Sequence, residues 1–408
     1  MERKQRFLEG IRALEFSDVM AGPMVGKLLA DHGAQVIKIE NKAHASGRNP
    51  GAGATSLTSL NQGYYFNKFC TNKLSLTLDL SNPKAKEICH SLAAISDVVF
   101  DNFAPSLMER WDLHYEELVK IKPDIIVAKM PTMGSGGPYS HWRSLSWPTM
   151  AMGGLNYMSG VPGRMPICPT NNSLPDSSSS CFHTMVAILA ALRYKTRTGK
   201  GQFIEVPQLE AFTCFTETGI FDYLVNGREP KQARNRVSYA VPHNVYRCQG
   251  DDRWCAIAAF TEEEWKSLCH VIGRDDLIES SKFSTIISRV KNEDELDSII
   301  GEWTKDKSPW AVMELMQQAA VPAGVLETIA EMMIEDPQLK AREHWVKVEH
   351  PEAGSMTLEE WGFRLSAMPK RNYRYAPLYG EHNNFVLGEI LGLTEDEINK
   401  LVVEGVVA

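Results

Sequence analysis

One acidic side chain stands where a nucleophile could be placed at the start of a helix. Asp176 lies in the segment LPDS, residues 174–177, and apolar residues recur at helical spacing after it. Aspartate is a preferred N-cap, where its carboxylate accepts hydrogen bonds from helix N–H groups and stabilises the helix by about 1 kcal/mol. The same carboxylate could attack an acyl group while those N–H groups stabilise the oxyanions that form. Taken alone, the residue favours the cap, and the catalytic interpretation stays open.

Residues 17–23 have the composition of a turn between a strand and a helix. The segment, SDVMAGP, follows an apolar run and ends at Pro23, a residue suited to the first helical turn. Backbone N–H groups and the helix dipole at such a point can hold a phosphate. Gly22 is the only glycine in the segment, so the GxGxxG fingerprint of a nicotinamide site is absent. A phosphate site and an ordinary turn are both consistent with this pattern.

Polar side chains also occur near other predicted strands, where the carboxyl ends of a parallel sheet gather ligands. These positions are Asn72, Lys73, Asn102, Phe103 and Arg110, each just after a predicted strand or in the turn and helix that follow it. Lys73 and Arg110 have the charge to pair with phosphates, and Asn102 can hydrogen-bond the edge of a polar ring. Considered singly, each is more simply interpreted as part of the solvated surface.

The elements that would position these residues alternate between strands and helices. The pattern predicts strands at 11–16, 35–40, 74–78, 98–100, 125–129 and 203–206, with helices at 23–32, 82–95, 177–194 and 209–225. Such alternation is typical of a doubly wound, mostly parallel sheet. After a polar connection at 226–235, short β-like runs and several helices predict a smaller second domain.

Two later helix starts have an explicit sequence signature. Thr261 with Glu264 and Thr394 with Glu397 match the capping box, in which the two side chains and backbone N–H groups satisfy each other. These residues predict helix boundaries and no chemistry.

The composition excludes several classes of function. The chain has 408 residues, 43% of them hydrophobic, enough for a large core. Its 51 acidic and 43 basic residues give a net charge of -8 without a long block of one sign, so neither nucleic acid nor a membrane is an expected partner. Eight scattered cysteines without a CxxC pair predict reduced thiols and no metal site. The mixed charges of residues 1–16 are unlike a signal peptide and predict a cytoplasmic location.

Short segments along the whole chain occur together in one order. They are residues 21–23 (AGP), 29–40 (LADHGAQVIKIE), 101–103 (DNF), 176 (D), 190–192 (AAL), 198–202 (TGKGQ), 321–325 (VPAGV), 335–339 (EDPQL), 380–382 (GEH) and 391–393 (LGL). In this order they resemble the CaiB/BaiF, or class III, coenzyme A transferases. The resemblance implies an open-ring subunit interlocked in a dimer. It also implies a large Rossmann-like domain of residues 1–225 plus 330–408 and a small α+β domain of residues 226–329.

The resemblance also implies a site. It places coenzyme A at Val19, Met20, Ala21, Asn72, Lys73, Asn102, Phe103 and Arg110. Asp176 matches the catalytic aspartate, and neither a metal nor a tightly bound cofactor is implied, since coenzyme A thioesters are the substrates. Asn41 stands where the family often has an arginine, a role that Lys42 or Arg48 would have to fill. Pro131 stands near the position of a lysine in the formyl-CoA branch.

The implied activity moves coenzyme A from a donor acyl-CoA, such as succinyl-CoA, to an acceptor carboxylic acid. Asp176 would form a mixed anhydride and then an aspartyl-CoA thioester. Bulky or aromatic acceptors such as benzylsuccinate are plausible because large apolar side chains precede Asp176. These side chains, Trp142, Trp147, Met150, Met152, Tyr157 and Met158, fit either an acyl pocket or core packing.

Two alternatives remain within the same family. An α-methylacyl-CoA racemase needs a histidine that residues 143–147 (RSLSW) lack, although His141 and His183 are near in sequence. A catalytically silent subunit of a paralogous pair is the other alternative, and the presence of Asp176 argues against it. The sequence therefore favours the transferase. It leaves open the donor and acceptor acids, and whether the dimer is a homodimer or a heterodimer with a paralogous subunit.

Overall fold

The structure, a computed structural model, describes residues 6–41, 46–48, 59–167, 174–368 and 373–407. The chain forms two compact units. The first comprises Met1–Asn156, Cys168–Pro230 and His344–Ala408, and the second comprises Tyr157–Ile167 and Lys231–Glu343. The main segment of the second unit, Lys231–Glu343, starts and ends later than the predicted small domain. The unit also includes Tyr157–Ile167, a segment that no change in the sequence pattern indicates.

Six parallel strands form the sheet of the first unit. They are β1 (Arg12–Phe16), β2 (Gln35–Glu40), β3 (Leu74–Thr77), β4 (Val98–Asp101), β5 (Ile126–Lys129) and β6 (Gln202–Glu205). Their order is β3-β2-β1-β4-β5-β6, and every neighbouring pair is parallel. The order reverses between β1 and β4, which creates a crevice at the carboxyl ends of these strands. The predicted doubly wound α/β architecture is confirmed.

Helices connect these strands. Those that precede residue 227 are α1 (Ala21–Asp31), α2 (Tyr64–Phe69), α3 (Pro83–Ala94), α4 (Ser106–Arg110), α5 (Tyr115–Ile121), α6 (Ser146–Met152), α7 (Leu155–Met158), α8 (Ser180–Thr198), α9 (Gln208–Thr213) and α10 (Glu217–Asn226). Local chemistry sets several of their ends. The Asn82 side chain caps α3, where Pro83 follows, and α8 ends at Gly199 in the left-handed conformation.

Both faces of the sheet are buried, as a parallel sheet requires. Successive residues of β4 show this: Val99 packs in one core, and Val98 and Phe100 pack in the other. Residues of α3 and α5 complete the first core, and residues of α1 and α8 complete the second. The sheet is therefore enclosed on its two faces, and ligands can approach the carboxyl ends of its strands.

The second unit contains a three-stranded antiparallel sheet in the order β7-β8-β9. Its strands are β7 (His243–Arg247), β8 (Trp254–Ala258) and β9 (Ala323–Val325), and its helices are α11 (Glu262–Ile272), α12 (Ile286–Lys291), α13 (Glu293–Thr304), α14 (Pro309–Gln318), α15 (Ile329–Ile334) and α16 (Pro337–Ala341). One core, which includes Trp265, Leu296 and Val312, joins the sheet to the helices. Thr261 and Glu264 form the predicted capping box at the start of α11.

The chain then completes the first unit. An antiparallel pair, β10 (Trp345–His350) and β11 (Gly354–Glu359), is followed by α17 (Glu395–Val403). The predicted capping box of Thr394 and Glu397 is present at the start of α17. Asn383 bonds both the backbone N–H and the hydroxyl of Thr77, at 2.9 and 2.8 Å, so the returning segment is fastened to β3.

Candidate active site

Asp176 lies inside the first turn of its helix. Residues Pro175–Ser179 form a π-helical turn that runs directly into α8. Leu174 occupies the N-cap position, and no side chain caps this turn. The interpretation of Asp176 as an N-cap is therefore wrong, because its carboxylate is not used for capping.

Serine hydroxyls explain why the helix begins with a wide turn. Those of Ser179 and Ser180 donate to the carbonyl oxygen of Pro175 at 3.1 and 2.6 Å. Hydroxyl groups that bond back to the preceding turn compete with the regular helical bond. Single π-helical turns of this kind are frequent at functional sites.

The carboxylate of Asp176 is half-buried and meets a hydroxyl group. Ser146, the buried first residue of α6, donates its hydroxyl to Oδ2 of Asp176. Burial disfavours the charged form and raises the pKa of Asp176 to about 7. A carboxylate with a raised pKa is more basic than an exposed one, a property typical of catalytic groups. Sequence reasoning missed Ser146, which lies thirty residues earlier in the chain.

A cleft lies at the carboxyl ends of β1, β2, β3 and β4. Its lining comprises Phe16, Ser17, Asp18, Lys38, Ile39, Glu40, Asn41, Gly47, Arg48, Phe66, Leu80, Phe103 and Trp111. The cleft thus spans the point where the strand order reverses, which is where ligands bind in open α/β sheets. Phe103 and Trp111 pack edge to face there, with ring centroids 5.9 Å apart. Sequence reasoning did not identify Leu80 and Trp111 as residues of this cleft. Leu80 could have been identified because it follows β3, and ligands bind beyond the carboxyl ends of the strands in such sheets.

The loop between β1 and α1 has a strained backbone, and the side chain of Asn102 hydrogen-bonds to it. Val19 adopts a φ of 61°, which is rare for a β-branched residue. Asn102 accepts from the N–H of Asp18 at 3.0 Å and donates to its carbonyl oxygen at 2.9 Å. A Cβ atom on Gly22 would lie 2.3 Å from the Cβ of Ser17, so glycine is required for the close packing. Asn102 therefore shapes the loop that was predicted to bind coenzyme A.

The structure brings only some of the predicted residues to this loop. Val19 is exposed, Met20 is half-buried, and Ala21 is the buried first residue of α1. Phe103 lines the cleft, and Arg110 is exposed at the end of α4 with a hydrogen bond from its Nε to the Ser106 carbonyl oxygen.

Asn72 and Lys73 lie at the other end of the sheet. Since β3 begins at Leu74, both residues precede a strand, and the prediction that they follow one is wrong. Asn72 donates to Oδ1 of Asp31 at 2.6 Å and accepts from the backbone of Arg374 at 2.7 Å. Its side chain fastens the returning segment to α1.

Lys73 is part of a buried ionic cluster. Its ammonium is 2.8 Å from Oε2 of Glu15 and 2.8 Å from the carbonyl oxygen of Pro23. Burial opposes the charge of Glu15, but Lys38 and Lys73 outweigh it and lower the pKa of that carboxyl group. The ammonium of Lys73 is thus enclosed with its partners and is not presented to a phosphate.

The guanidinium of Arg48 does not take the role of the family arginine, whose position Asn41 occupies in this chain. This guanidinium forms a bidentate pair with Glu40 at 2.6 and 2.8 Å, and it stacks 3.5 Å from the Phe66 ring centroid. Asn41 contacts Asp79 at 3.4 Å, and Lys42 lies outside the described residues. The Pro131 carbonyl oxygen accepts from the N–H of Gln208 at 3.0 Å, so this position joins the sheet edge to α9.

The large apolar residues before Asp176 are mostly exposed. Met150 is fully buried, whereas Trp142 and Trp147 are about half exposed. Trp142 stacks on Tyr139 with ring centroids 4.0 Å apart. Core packing therefore accounts for Met150 alone among these three. Tyr157 and Met158 belong to the second unit, and Met152 is exposed on α6.

Neither histidine near Asp176 in sequence is buried. His183 is exposed, and its Nδ1 is 2.7 Å from the Ser179 carbonyl oxygen in its own helix; His141 is also exposed. Across the residues that the structure describes, no group of three or more His, Cys, Asp or Glu could hold a metal ion. In the same residues, no helix has the length and apolarity to cross a membrane. The seven cysteines described are all free thiols.

The chain is similar to known proteins over its full length. The model of CoA-transferase family III matches residues 8–383. The succinyl-CoA–D-citramalate CoA-transferase of Chloroflexus aurantiacus is 31% identical over 411 residues, which cover 100% of this chain and 99% of the relative. The succinyl-CoA:glutarate CoA-transferase of Mus musculus is 28% identical over 98% of this chain and 90% of the relative. The crystal structure of a CaiB/BaiF family protein from Brucella suis has a TM-score of 0.84 and 26% identity, covering 95% of this chain and 100% of that one.

The parallel sheet, the cleft at the carboxyl ends of its strands and the sequence similarity all indicate the same family. The relatives are named as transferases, which favours coenzyme A transfer over the racemase alternative. The chain belongs to CoA-transferase family III, the CaiB/BaiF family, and is an acyl-CoA:carboxylate CoA-transferase.

Proposed function

We propose that the chain transfers coenzyme A from succinyl-CoA to a dicarboxylic acceptor acid through covalent intermediates on Asp176. The observation that carries this proposal is the half-buried carboxylate with a raised pKa at the opening of α8. Relatives named for succinyl-CoA with D-citramalate, L-malate or glutarate support the donor and the class of acceptor. Acceptors with bulky or aromatic substituents, such as benzylsuccinate, belong to the same class.

The reaction begins with attack on the donor thioester. Oδ1 of Asp176 bonds to the acyl carbon and the C–S bond breaks, which gives a mixed anhydride and free coenzyme A thiolate. The thiolate then attacks Cγ of Asp176 and expels succinate, which leaves an aspartyl-CoA thioester. The acceptor carboxylate repeats these two steps in reverse, so the thioester energy is conserved and no water is consumed.

Ser146 has a role in two of these states. Its hydroxyl donates to Oδ2 of Asp176, which leaves Oδ1 to attack the thioester. When the thiolate attacks Cγ, Oδ2 becomes the oxyanion of the tetrahedral intermediate. The same hydroxyl then stabilises the developing charge without further rearrangement.

The coenzyme is proposed to bind at the carboxyl ends of the strands. Backbone N–H groups of Met20 and Ala21 at the start of α1 can receive a phosphate, and exposed Arg110 can pair with another. Phe103 and Trp111 offer aromatic surface to the adenine. Val19 supports the loop, and Asn102 holds it in place, as the contacts above describe. No tightly bound cofactor is required.

The active form is proposed to be a dimer, either of two copies or with a paralogous subunit. Helix α10 has no buried residue although half of its residues are large and apolar. The names of the alpha and beta subunits of the succinyl-CoA–L-malate CoA-transferase support an assembly of related chains. The predicted cytoplasmic location and the interlocked arrangement remain part of this proposal.

Chemical trapping tests the role of Asp176. After incubation with succinyl-CoA, hydroxylamine or borohydride should modify Asp176, as detected by mass spectrometry of the peptide that contains it. Asp176→Asn should lower kcat by at least about 10³-fold, the scale seen when a covalent nucleophile is removed. Asp396→Asn, an exposed aspartate in the first turn of α17, is the matched control and should keep full activity. An unmodified Asp176 peptide together with an active Asp176→Asn enzyme would refute the mechanism.

A further inference from the structure

A pocket of about 420 Å³ opens beside the π-helical turn that contains Asp176. Ser177 and Ser178, which directly follow Asp176, line it, and so does Met20 of the loop that precedes α1. All of its lining residues belong to the first unit. The pocket therefore adjoins both the proposed nucleophile and the proposed coenzyme site.

The pocket combines apolar walls with one ion pair, formed by Lys68 and Glu359. Met24, Phe69 and Phe182 supply apolar surface, and Lys68 is the only cation in its described lining. Tyr64 and Tyr65 of α2 also face the space. Such a lining suits a short carbon chain that ends in a hydrogen-bond acceptor, since the walls bury carbon and the ammonium can bridge Glu359 and a second carboxylate.

Lys68 is charged and has bonding capacity left. Its Nζ lies 2.8 Å from Oε1 of Glu359. Burial opposes the charge of the ammonium, but Glu359 outweighs burial and raises the pKa of Lys68. The bond likewise lowers the pKa of Glu359 against the effect of its own burial. An ammonium has three N–H donors, so the bonds to Glu359 and Tyr64 leave one donor for a second carboxylate.

We propose that Lys68 binds the distal carboxylate of a dicarboxylic acyl group whose reacting carbon lies at Asp176. This inference rests on the proposed function. Donor and acceptor react in turn at the same carboxylate, so both occupy this pocket and both require a second carboxylate. The apolar walls then receive the carbon chain and its substituents.

Paired thioesters test the assignment. Succinyl-CoA and butyryl-CoA have the same number of acyl carbons, and only the first has a distal carboxylate. A hydrogen bond to a charged group contributes about 1.5–3 kcal/mol, so the unmodified enzyme should favour succinyl-CoA in kcat/KM by roughly 10- to 100-fold. Lys68→Met should abolish most of this preference while butyryl-CoA changes less than about threefold, and Lys68→Arg should restore part of it. Lys84→Met, which removes an exposed ion pair with Glu404, should leave the preference intact.

The outcomes separate this inference from the proposed function. Equal losses for both thioesters in Lys68→Met, or an unmodified enzyme that does not distinguish them, would overturn the role of Lys68. In that case a trapped Asp176 adduct would leave the transferase mechanism standing. An unmodified enzyme that forms no adduct and transfers no coenzyme A would refute both.

Discussion

Asp176 must be deprotonated to attack a thioester, and its immediate surroundings set the pH at which this occurs. Half-burial raises its pKa to about 7, so the inactive protonated form gains population in mild acid. The Ser146 hydroxyl acts in the opposite direction, because a donor to Oδ2 favours the charged form. The pH dependence of the reaction therefore reports on both side chains.

The first prediction concerns this pH dependence. The active form exists above the pKa of Asp176, so kcat/KM should be constant in mild alkali and fall about tenfold per pH unit below about pH 7. Ser146→Ala removes the donor and should move the midpoint to higher pH by about one unit or more. Ser298→Ala, on an exposed position of α13, is the control and should not move it. Initial rates from pH 5 to pH 9 at subsaturating succinyl-CoA measure the midpoint. An unchanged midpoint in Ser146→Ala would contradict the proposed hydrogen bond.

At the same scale, the sequence identifies some site residues and cannot identify others. Asp176 is recognisable because it lies in an ordered series of motifs. Its partner Ser146 carries no local signal, since their contact depends on how α6 packs against the turn before α8. Lys73 looks like an exposed phosphate ligand, yet Glu15 and Lys38 surround it in the fold. A charge in a sequence does not reveal whether its partner is a ligand or a buried side chain.

At the scale of elements, the loop between β1 and α1 depends on a residue from another strand end. Asn102 follows β4, and its amide bonds both backbone groups of Asp18. This arrangement sustains the left-handed Val19, a conformation that costs on the order of 1–3 kcal/mol. Preorganisation of the loop should therefore lower the cost of binding the coenzyme.

Replacing this clamp should separate binding from chemistry. Asn102→Ala removes both bonds to Asp18, so we expect KM for succinyl-CoA to rise about tenfold while kcat changes much less. Asn82→Ala is a control of similar stability cost, since it removes the N-cap of α3, worth about 1 kcal/mol, and should leave KM unchanged. Steady-state kinetics with thermal unfolding of both variants makes the comparison. Equal changes in KM would show that loss of stability, and not the loop, is responsible.

The boundaries of elements were predictable where local chemistry decides them. The capping boxes at Thr261 and Thr394 mark α11 and α17 as expected. The start of α8 was misplaced because Pro175 and the following serines form a π-helical turn that helical periodicity does not signal. The start of β3 at Leu74 was also predicted correctly, and the error was to place Asn72 and Lys73 after a strand when they directly precede this one.

At the scale of the whole molecule, helix α10 presents a contiguous apolar surface. Helix α10 exposes Ile220, Phe221, Tyr223, Leu224 and Val225, and Leu224 and Val225 are 70% and 77% exposed. Scattered apolar residues are ordinary on a surface, but a contiguous group marks an interaction site. Under the proposed function, a second subunit of the same family would cover the exposed side of α10.

The last prediction tests this face by mass in solution. The chain has a mass of 45.7 kDa, so the proposed homodimer should have twice this mass in solution. The double variant Phe221→Lys with Leu224→Lys would place two ammonium groups without partners in the dimer contact. We expect the dissociation constant of the dimer to rise by at least about 10²-fold. Val403→Lys replaces an apolar residue outside α10, 87% exposed at the end of α17, and should leave the dimer unchanged. Sedimentation velocity over a range of concentrations gives the dissociation constants. A double variant that remains as dimeric as Val403→Lys would exclude α10 as the contact, because no dimer interface tolerates two unpaired buried ammonium groups without loss of affinity.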